Sequence, residues 1–277
     1  MKTILIPVDF SDTSKKALKV AIKVAKRIQA KIVLTHMVGI EDSLAKPPNN
    51  FEEALFYSKL IGIKFETFIE ELNTDDVIIE PTLQKHLDFN SVAEMATDLE
   101  ASLIIMGSHG SQGIEEFFVG TNTEKVVRTS KVPVLVIKDN ELKFAPERIL
   151  YASDFNSNTI TAYHRIIEVA TMLEARIEYV YINTPGSTFK STYEIDDILL
   201  NFFKEVKHTD PIEAIKSVQR FSDYSVEQGI MHYADLTATD IIAIPTHGRK
   251  GIAHFINGSI SEDIANRSTI PVLTVKM

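Results

Sequence analysis

Along the first half of the chain, short apolar runs alternate with longer segments in which apolar residues recur every three or four positions. Thr3–Val8, Lys31–Met37, Val77–Leu83, Ser102–Met106 and Pro133–Lys138 read as strands, because they are short, rich in Ile, Val and Leu, and bounded by polar or turn residues. Between the first two, Ala17, Leu18, Ala21, Ile22, Ala25 and Ile28 mark one face of a helix that starts near Asp12. Glu52–Leu72, Ser91–Leu99 and Thr121–Thr129 predict further helices. The second half mirrors this order, with strands at Arg148–Ser153, Arg176–Ile182, Asp240–Ile244 and Pro271–Lys276 and a weakly marked one near Ser217–Phe221. Strands this apolar, each followed by a helix, predict parallel sheets covered on both faces.

The mirrored order is a duplication. Ile4-Leu5-Ile6-Pro7-Val8-Asp9-Phe10 aligns with Ile149-Leu150-Tyr151-Ala152-Ser153-Asp154-Phe155 at an offset of 145. His109-Gly110 through Lys138 aligns with His247-Gly248 through Lys276 at an offset of 138, and 12 of those 30 positions are identical. That is far above chance, so the repeat is real. The change of offset means that the first copy holds seven extra residues between about 37 and 106, which we assign to the polar stretch Asp42–Phe51. Two domains are expected, at residues 1–140 and 147–277, with Asp139–Pro146 as the linker.

Composition narrows the partners. With 44% apolar and 24% charged residues the chain has the profile of a folded globular protein. A net charge of −9 argues against a nucleic-acid or anionic-membrane surface. No window approaches the ~18–20 apolar residues of a membrane helix. Met1–Asp9 runs straight into a strand without signal-peptide architecture, so a cytoplasmic location is expected. Cysteine is absent, which excludes disulfides and thiolate metal sites.

Candidate chemistry sits with the glycines. The chain has 11, and seven fall in two windows: Gly107, Gly110, Gly113 and Gly120, then Gly248, Gly251 and Gly258. The first window follows the strand Ser102–Met106 and leads into the helix at Thr121, the carboxyl end of a parallel strand where α/β sheets bind ligands. Thr121-Asn122-Thr123-Glu124 and Ser259-Ile260-Ser261-Glu262 fit the S/T-x-x-E capping box. A helix N-terminus offers unpaired N–H groups and a positive dipole end, which suit a phosphate. Taken one loop at a time, the same glycines also suit plain tight turns; the repeated Gly110–Gly120 and Gly248–Gly258 spacing favours the phosphate reading.

Gly107-x2-Gly110-x9-Gly120-Thr121, with Asp9 at the end of the first strand and Pro133-Val134-Leu135-Val136 as the last, resembles the nucleotide-binding signature of the universal stress protein family, once per half. The resemblance implies two tandem Rossmann-like (adenine nucleotide alpha hydrolase-like) domains. Each would be a five-stranded parallel sheet of order 3-2-1-4-5 flanked by helices. It further implies that Asp9 and Met37 contact adenine, that Gly107 approaches the ribose, and that Gly110, Gly120, Thr121 and Asn122 hold phosphates, with Met106 also in the nucleotide site. Asp accepts from an amino or hydroxyl group, Gly lets backbone N–H reach phosphate, and Thr donates a hydroxyl. The last strands of such domains pair across dimer interfaces, so a tandem chain is expected to form an internal pseudo-dimer, with a further homodimer left open.

The second half departs from the signature at its first position, where Pro245 replaces glycine. Its ring, fixed φ and missing N–H oppose a ligand, whereas Arg249 and Lys250 would attract phosphate. The steric effect is weighted more heavily: a full site is expected in the first half, and a weak or absent one at Asp154, Ile182, Gly248, Arg249, Gly258 and Ser259. His109 and His247 suit either a phosphate contact or a loop-fixing bond. Asp9 and Asp154 suit either adenine contact or strand-end capping. His247 and His254 lack a third ligand for zinc. Neither a Walker pattern nor a Gly-x-Gly-x2-Gly fingerprint is present, and no catalytic base is evident. The leading expectation is a stress-response or signalling protein that binds ATP or another adenine nucleotide, with Mg²⁺ accompanying the phosphates, and acts on a protein partner. The competing classes are a slow ATPase and a nucleotide-free interaction scaffold.

Overall fold

The computed structural model describes residues 1–36, 51–74, 76–83, 90–108, 121–138, 144–246, 264–265 and 268–277. The first half runs β1 (Thr3–Val8), α1 (Asp12–Ile28), β2 (Lys31–His36), α2 (Phe51–Glu70), β3 (Ile79–Leu83), α3 (Asn90–Asp98), β4 (Leu103–Gly107), α4 (Thr121–Thr129) and β5 (Val134–Ile137). The second runs β6 (Arg148–Ala152), α5 (Ile160–Leu173), β7 (Arg176–Asn183), α6 (Thr192–Glu205), α7 (Pro211–Ser217), β8 (Val218–Ser222), α8 (Val226–Leu236), β9 (Ile241–Thr246) and β10 (Val272–Lys276).

All ten strands join one sheet of order β3-β2-β1-β4-β5-β10-β9-β6-β7-β8. Each half is therefore a parallel 3-2-1-4-5 sheet, as the resemblance implied. The halves meet where β5 and β10 pair antiparallel, Val136 opposite Val272, Leu135 opposite Leu273 and Val134 opposite Thr274. Leu135 and Leu273 are equivalent in the duplication, so a local two-fold axis passes through their pairing. The junction gives each terminal strand the neighbour that an exposed apolar edge would otherwise lack.

Alternation along the strands sorts the core. Ile4, Ile6, Leu135 and Leu273 point to one face, where α1, α2, α5 and α6 close a single apolar cluster spanning both halves. Leu5, Ile104, Val134 and Val136 point the other way, under α3 and α4, and Leu150, Ile242 and Val272 do so in the second half under α8. One face thus has a shared core and the other two separate ones. The shared core is asymmetric in chemistry. Ile6, Leu18 and Leu34 of the first half are replaced by Tyr151, Tyr163 and Tyr179, with the hydroxyls of Tyr163 and Tyr179 3.3 Å apart.

Registers locate the extra length of the first copy. Thr35 pairs with Thr82, whereas its counterpart Val180 pairs with Gln219, so the additional residues lie between β2 and β3. Their assignment to Asp42–Phe51 falls almost entirely outside the described residues, as do residues 139–143 of the expected linker. Three pairs of non-glycine residues adopt left-handed backbone at equivalent places: Phe10 and Phe155, Gln29 and Glu174, Glu100 and Ala238. Gln29 and Glu174 end α1 and α5 in this conformation, a common way to satisfy the last carbonyls of a helix.

Candidate functional site

The described part of the site is built where β1, β2 and β4 end and α1 begins. β1 pairs with β4 through Ile4–Leu103 and Leu5–Ile104, a register that runs on toward Val8 and Gly107. Asp9 follows directly, exposed, and its Oδ1 accepts the Ser11 N–H at 3.0 Å. Ser11 then caps α1, accepting from the Ser14 N–H at 3.2 Å, while the Ser14 hydroxyl donates to the Ser11 carbonyl at 2.9 Å. Partial burial pushes the Asp9 carboxyl up, but hydrogen bonds from Ser11 and Ser14 outweigh it and hold its pKa below the usual value. At neutral pH Asp9 is an anion able only to accept hydrogen bonds.

The turn between Asp9 and Ser11 depends on Phe10, whose φ of 63° is left-handed. This conformation costs a non-glycine residue roughly 1–2 kcal/mol. Packing of the ring offsets it: Phe10 lies against His36 at 4.5 Å, Phe65 at 5.2 Å and Phe68 at 5.5 Å between ring centroids. His36, buried at the end of β2, places Nδ1 3.1 Å from the Val8 carbonyl. A carbonyl only accepts, so Nδ1 carries the hydrogen, and the bond ties the end of β2 to the end of β1. The sequence reading passed over His36. Its signal was a polar residue closing an apolar strand, immediately before Met37.

Gly107 ends β4 against the first turn of α1. A Cβ there would sit 2.6 Å from the Thr13 carbonyl oxygen and 2.7 Å from its Cγ2. This glycine has a packing reason of its own, independent of any ligand. Thr123 of α4 donates its hydroxyl to the Gly107 carbonyl at 3.3 Å, which fastens the start of α4 to the same strand end. Thr121 and Asn122 lie in that first helical turn, so Thr121 takes a helical position rather than the preceding cap position that the capping-box pattern implied. The side chain of Met106 is buried with Val126 and Val127 on the face away from α1. Met37, His109, Gly110 and Gly120 lie outside the described residues.

The second half repeats the frame with different connections. Phe155 again turns left-handed, at φ 53°. Asp154 is exposed, but Asn156 engages both its oxygens, by N–H at 3.2 Å and by Nδ2 at 2.6 Å. A 3-10 turn at Ser157–Thr159 takes the place of the first turn of α1, so Asn158, the counterpart of Thr13, is not in an α-helix. Pro245 stands at the position of Gly107 on β9, where the Thr13 contact of the first half would leave no room for a ring. Ile182, half-buried, faces Gly229 of α8: a Cβ on that glycine would be 2.6 Å from Ile182 Cγ2. Gly248, Arg249, Gly258 and Ser259 lie outside the described residues. Among the described residues no group of three or more metal-ligating side chains forms a cation site, and no helix is long and apolar enough to cross a membrane.

Comparison with known proteins agrees with this architecture. The model of the universal stress protein family matches residues 1–138 and again 146–276. A universal stress protein of Methanocaldococcus jannaschii is 29% identical over 141 residues, covering 50% of this chain and 82% of that protein. A putative universal stress protein of Staphylococcus saprophyticus is 31% identical over 148 residues, covering 51% of this chain and 86% of that protein. Among solved structures, a universal stress protein from Archaeoglobus fulgidus superposes with a TM-score of 0.70 at 16% identity, covering 99% of this chain and 98% of its own, which is evidence of shared fold. Since one family model accounts for each half in turn, the chain belongs to the universal stress protein family as a tandem pair.

Proposed function

We propose that the chain is a stress-response protein that binds an adenine nucleotide, ATP foremost, in its first half, and that occupancy alters how the molecule meets a protein partner. The observation that carries the reading is the ionised, exposed Asp9. It stands beside the β4 end from which the Gly107–Thr121 signature departs. An acceptor-only carboxylate suits the amino group of adenine or a ribose hydroxyl. The loop and the start of α4 suit phosphates, with Mg²⁺ as their counter-ion. The Pro245 ring, the Asn156-bound Asp154 and the 3-10 turn support a second half that binds weakly or not at all. Domain limits of 1–140 and 147–277 go with this reading.

Calorimetry with ATP, with and without Mg²⁺, is expected to give one site per chain, lost in a Gly110→Trp variant. Pro245→Gly is expected to leave the stoichiometry at one, because Asp154 stays bound to Asn156. Two equal sites in the natural chain would overturn the asymmetric reading, and no binding of any adenine nucleotide would favour the scaffold. Turnover above about 1 s⁻¹, the low end of ordinary enzymes, would favour the ATPase.

A further inference from the structure

In its charge α1 departs from every other described helix. Over Asp12–Ile28 it holds six of the chain's 29 lysines and arginines and one of its 38 aspartates and glutamates. No other described helix has more than two lysines or arginines. The apolar face of α1, with Ala17, Leu18, Ala21 and Ile22, is buried in the shared core. After Asp12 the outward positions are Lys15, Lys16, Lys19, Lys23, Lys26 and Arg27, so that face is cationic along its length. Lys15 is paired with Glu71, and Arg27 with Glu174 and the Leu173 carbonyl. Lys19 and Lys23, both exposed, make no ion pair or hydrogen bond with any described residue.

Helix stability alone does not select such a face. Residues four apart are neighbours on a helix, so Lys15–Lys19, Lys19–Lys23 and Lys23–Arg27 set like charges side by side and oppose the helix. A face that is merely solvated intersperses glutamates among its lysines. Nor does the fold require the stripe. In the second half α5 takes the place of α1, and at the same six positions it has Ile160, Thr161, His164, Glu168, Thr171 and Met172, with no lysine among them.

We infer that the outward face of α1 docks a narrow acidic segment of a partner protein, its carboxylates running along Lys16, Lys19, Lys23 and Lys26. These four lysines span about 15 Å of helix axis. An ammonium group on a flexible stem binds as a point charge, which suits carboxylates without a fixed pairing geometry. A broad anionic surface fits this face poorly. A bilayer or a duplex laid on α1 would also meet Glu71 and Glu174 at the two ends of the stripe, on a chain whose net charge is −9. The outward positions hold no apolar side chain to enter a bilayer and no aromatic ring to stack on a base. The docking gives a chemistry to the protein partner of the proposed function. It rests on that reading only for the existence of a partner, and it needs no nucleotide.

The test uses the full chain without nucleotide, at low ionic strength, with a fluorescein-labelled decaglutamate read by anisotropy. Saturable binding at one site per chain is expected, weakening as salt rises because the contacts are exposed. Lys19→His combined with Lys23→Glu installs the residues of α5 and is expected to weaken the peptide about tenfold, the scale of two exposed charge contacts. The thermal midpoint of that variant should not fall, since like-charge neighbours are removed. Lys59→His with Lys204→Glu makes the same change of charge at exposed positions of α2 and α6 and should leave the affinity as it is. No saturable binding, unaltered affinity in the α1 variant, or an equal loss in the α2 and α6 variant would each overturn the assignment. So would tighter binding of duplex DNA or of phosphatidylserine vesicles than of the peptide, which would give the face to another class of partner.

Discussion

Replacing Gly107 with alanine separates packing from ligand binding at the site. The added Cβ would lie 2.6 Å from the Thr13 carbonyl oxygen, 2.7 Å from Cγ2 and 2.8 Å from the carbonyl carbon, where ordinary contacts begin at 3.4 Å. Two of these three atoms are backbone in the first turn of α1, so a change of rotamer does not relieve the clash. The turn must retreat by most of an ångström, carrying with it the Ser11 cap that positions Asp9. Overpacking of this kind costs about 1–3 kcal/mol. For a chain of this size that corresponds to a fall in thermal midpoint on the order of 2–10 °C. The assay is urea and thermal unfolding of the nucleotide-free protein followed by circular dichroism, alongside ATP calorimetry. Adding Thr13→Ser removes the Cγ2 contact but leaves the carbonyl, so the double variant should recover only part of the loss. If nucleotide-free Gly107→Ala unfolds with the natural protein while ATP binding is lost, the glycine serves the ligand and the packing argument is wrong.

Other variants probe the remaining links. Asp9→Asn should weaken ATP binding about tenfold or more, the cost of losing a charged hydrogen bond. It should also change the response to acid. The folded pKa of Asp9 is lowered, so its contribution to stability is complete above the ordinary carboxylate value of about 3.9 and is lost as pH falls through the folded value. Thermal midpoints from pH 7 to 2 should then drop more steeply below about pH 4 in the natural chain than in Asp9→Asn, and parallel curves would refute the linkage. Leu135→Ala and Leu273→Ala, at fully buried positions on the local two-fold axis, should each cost about 2–5 kcal/mol in urea unfolding. Because the two side chains are cross-strand partners, the double variant should depart from additivity by about 0.5 kcal/mol or more. At Phe155 both alanine and glycine remove a ring buried against Tyr151 and Phe202, but only alanine keeps a left-handed side chain. Phe155→Gly should therefore be at least as stable as Phe155→Ala, the reverse of the usual order, by up to about 1 kcal/mol.

Much of the architecture was legible because parallel strands covered on both faces are apolar throughout. β1, β2 and β4 lie within two residues of their expected limits for that reason. β8 was faint because it is a sheet edge whose central residues, Gln219 and Arg220, are exposed, so no hydrophobic period marks it. α7 was missed, although Asp210 followed by Pro211 is a legible cap and first helical residue: its seven residues are too few for an amphipathic period. At the site, Asp9 and Gly107 were legible as residue types at a spacing. The role of Phe10 was not, because a left-handed backbone is ordinarily announced by glycine, and here packing imposes it on an aromatic residue.

By itself the sequence determined the duplication, the alternation of strand and helix, and the break in symmetry at Pro245. All three are local properties of residue type and spacing, and need no neighbour to be read. Only the tertiary structure decided that the two sheets become one, with Leu135 opposite Leu273, and that one face carries a shared core. It also decided that Gly107 is closed by Thr13. Those outcomes depend on which surfaces meet, and partners this distant along the chain leave no periodic trace in it.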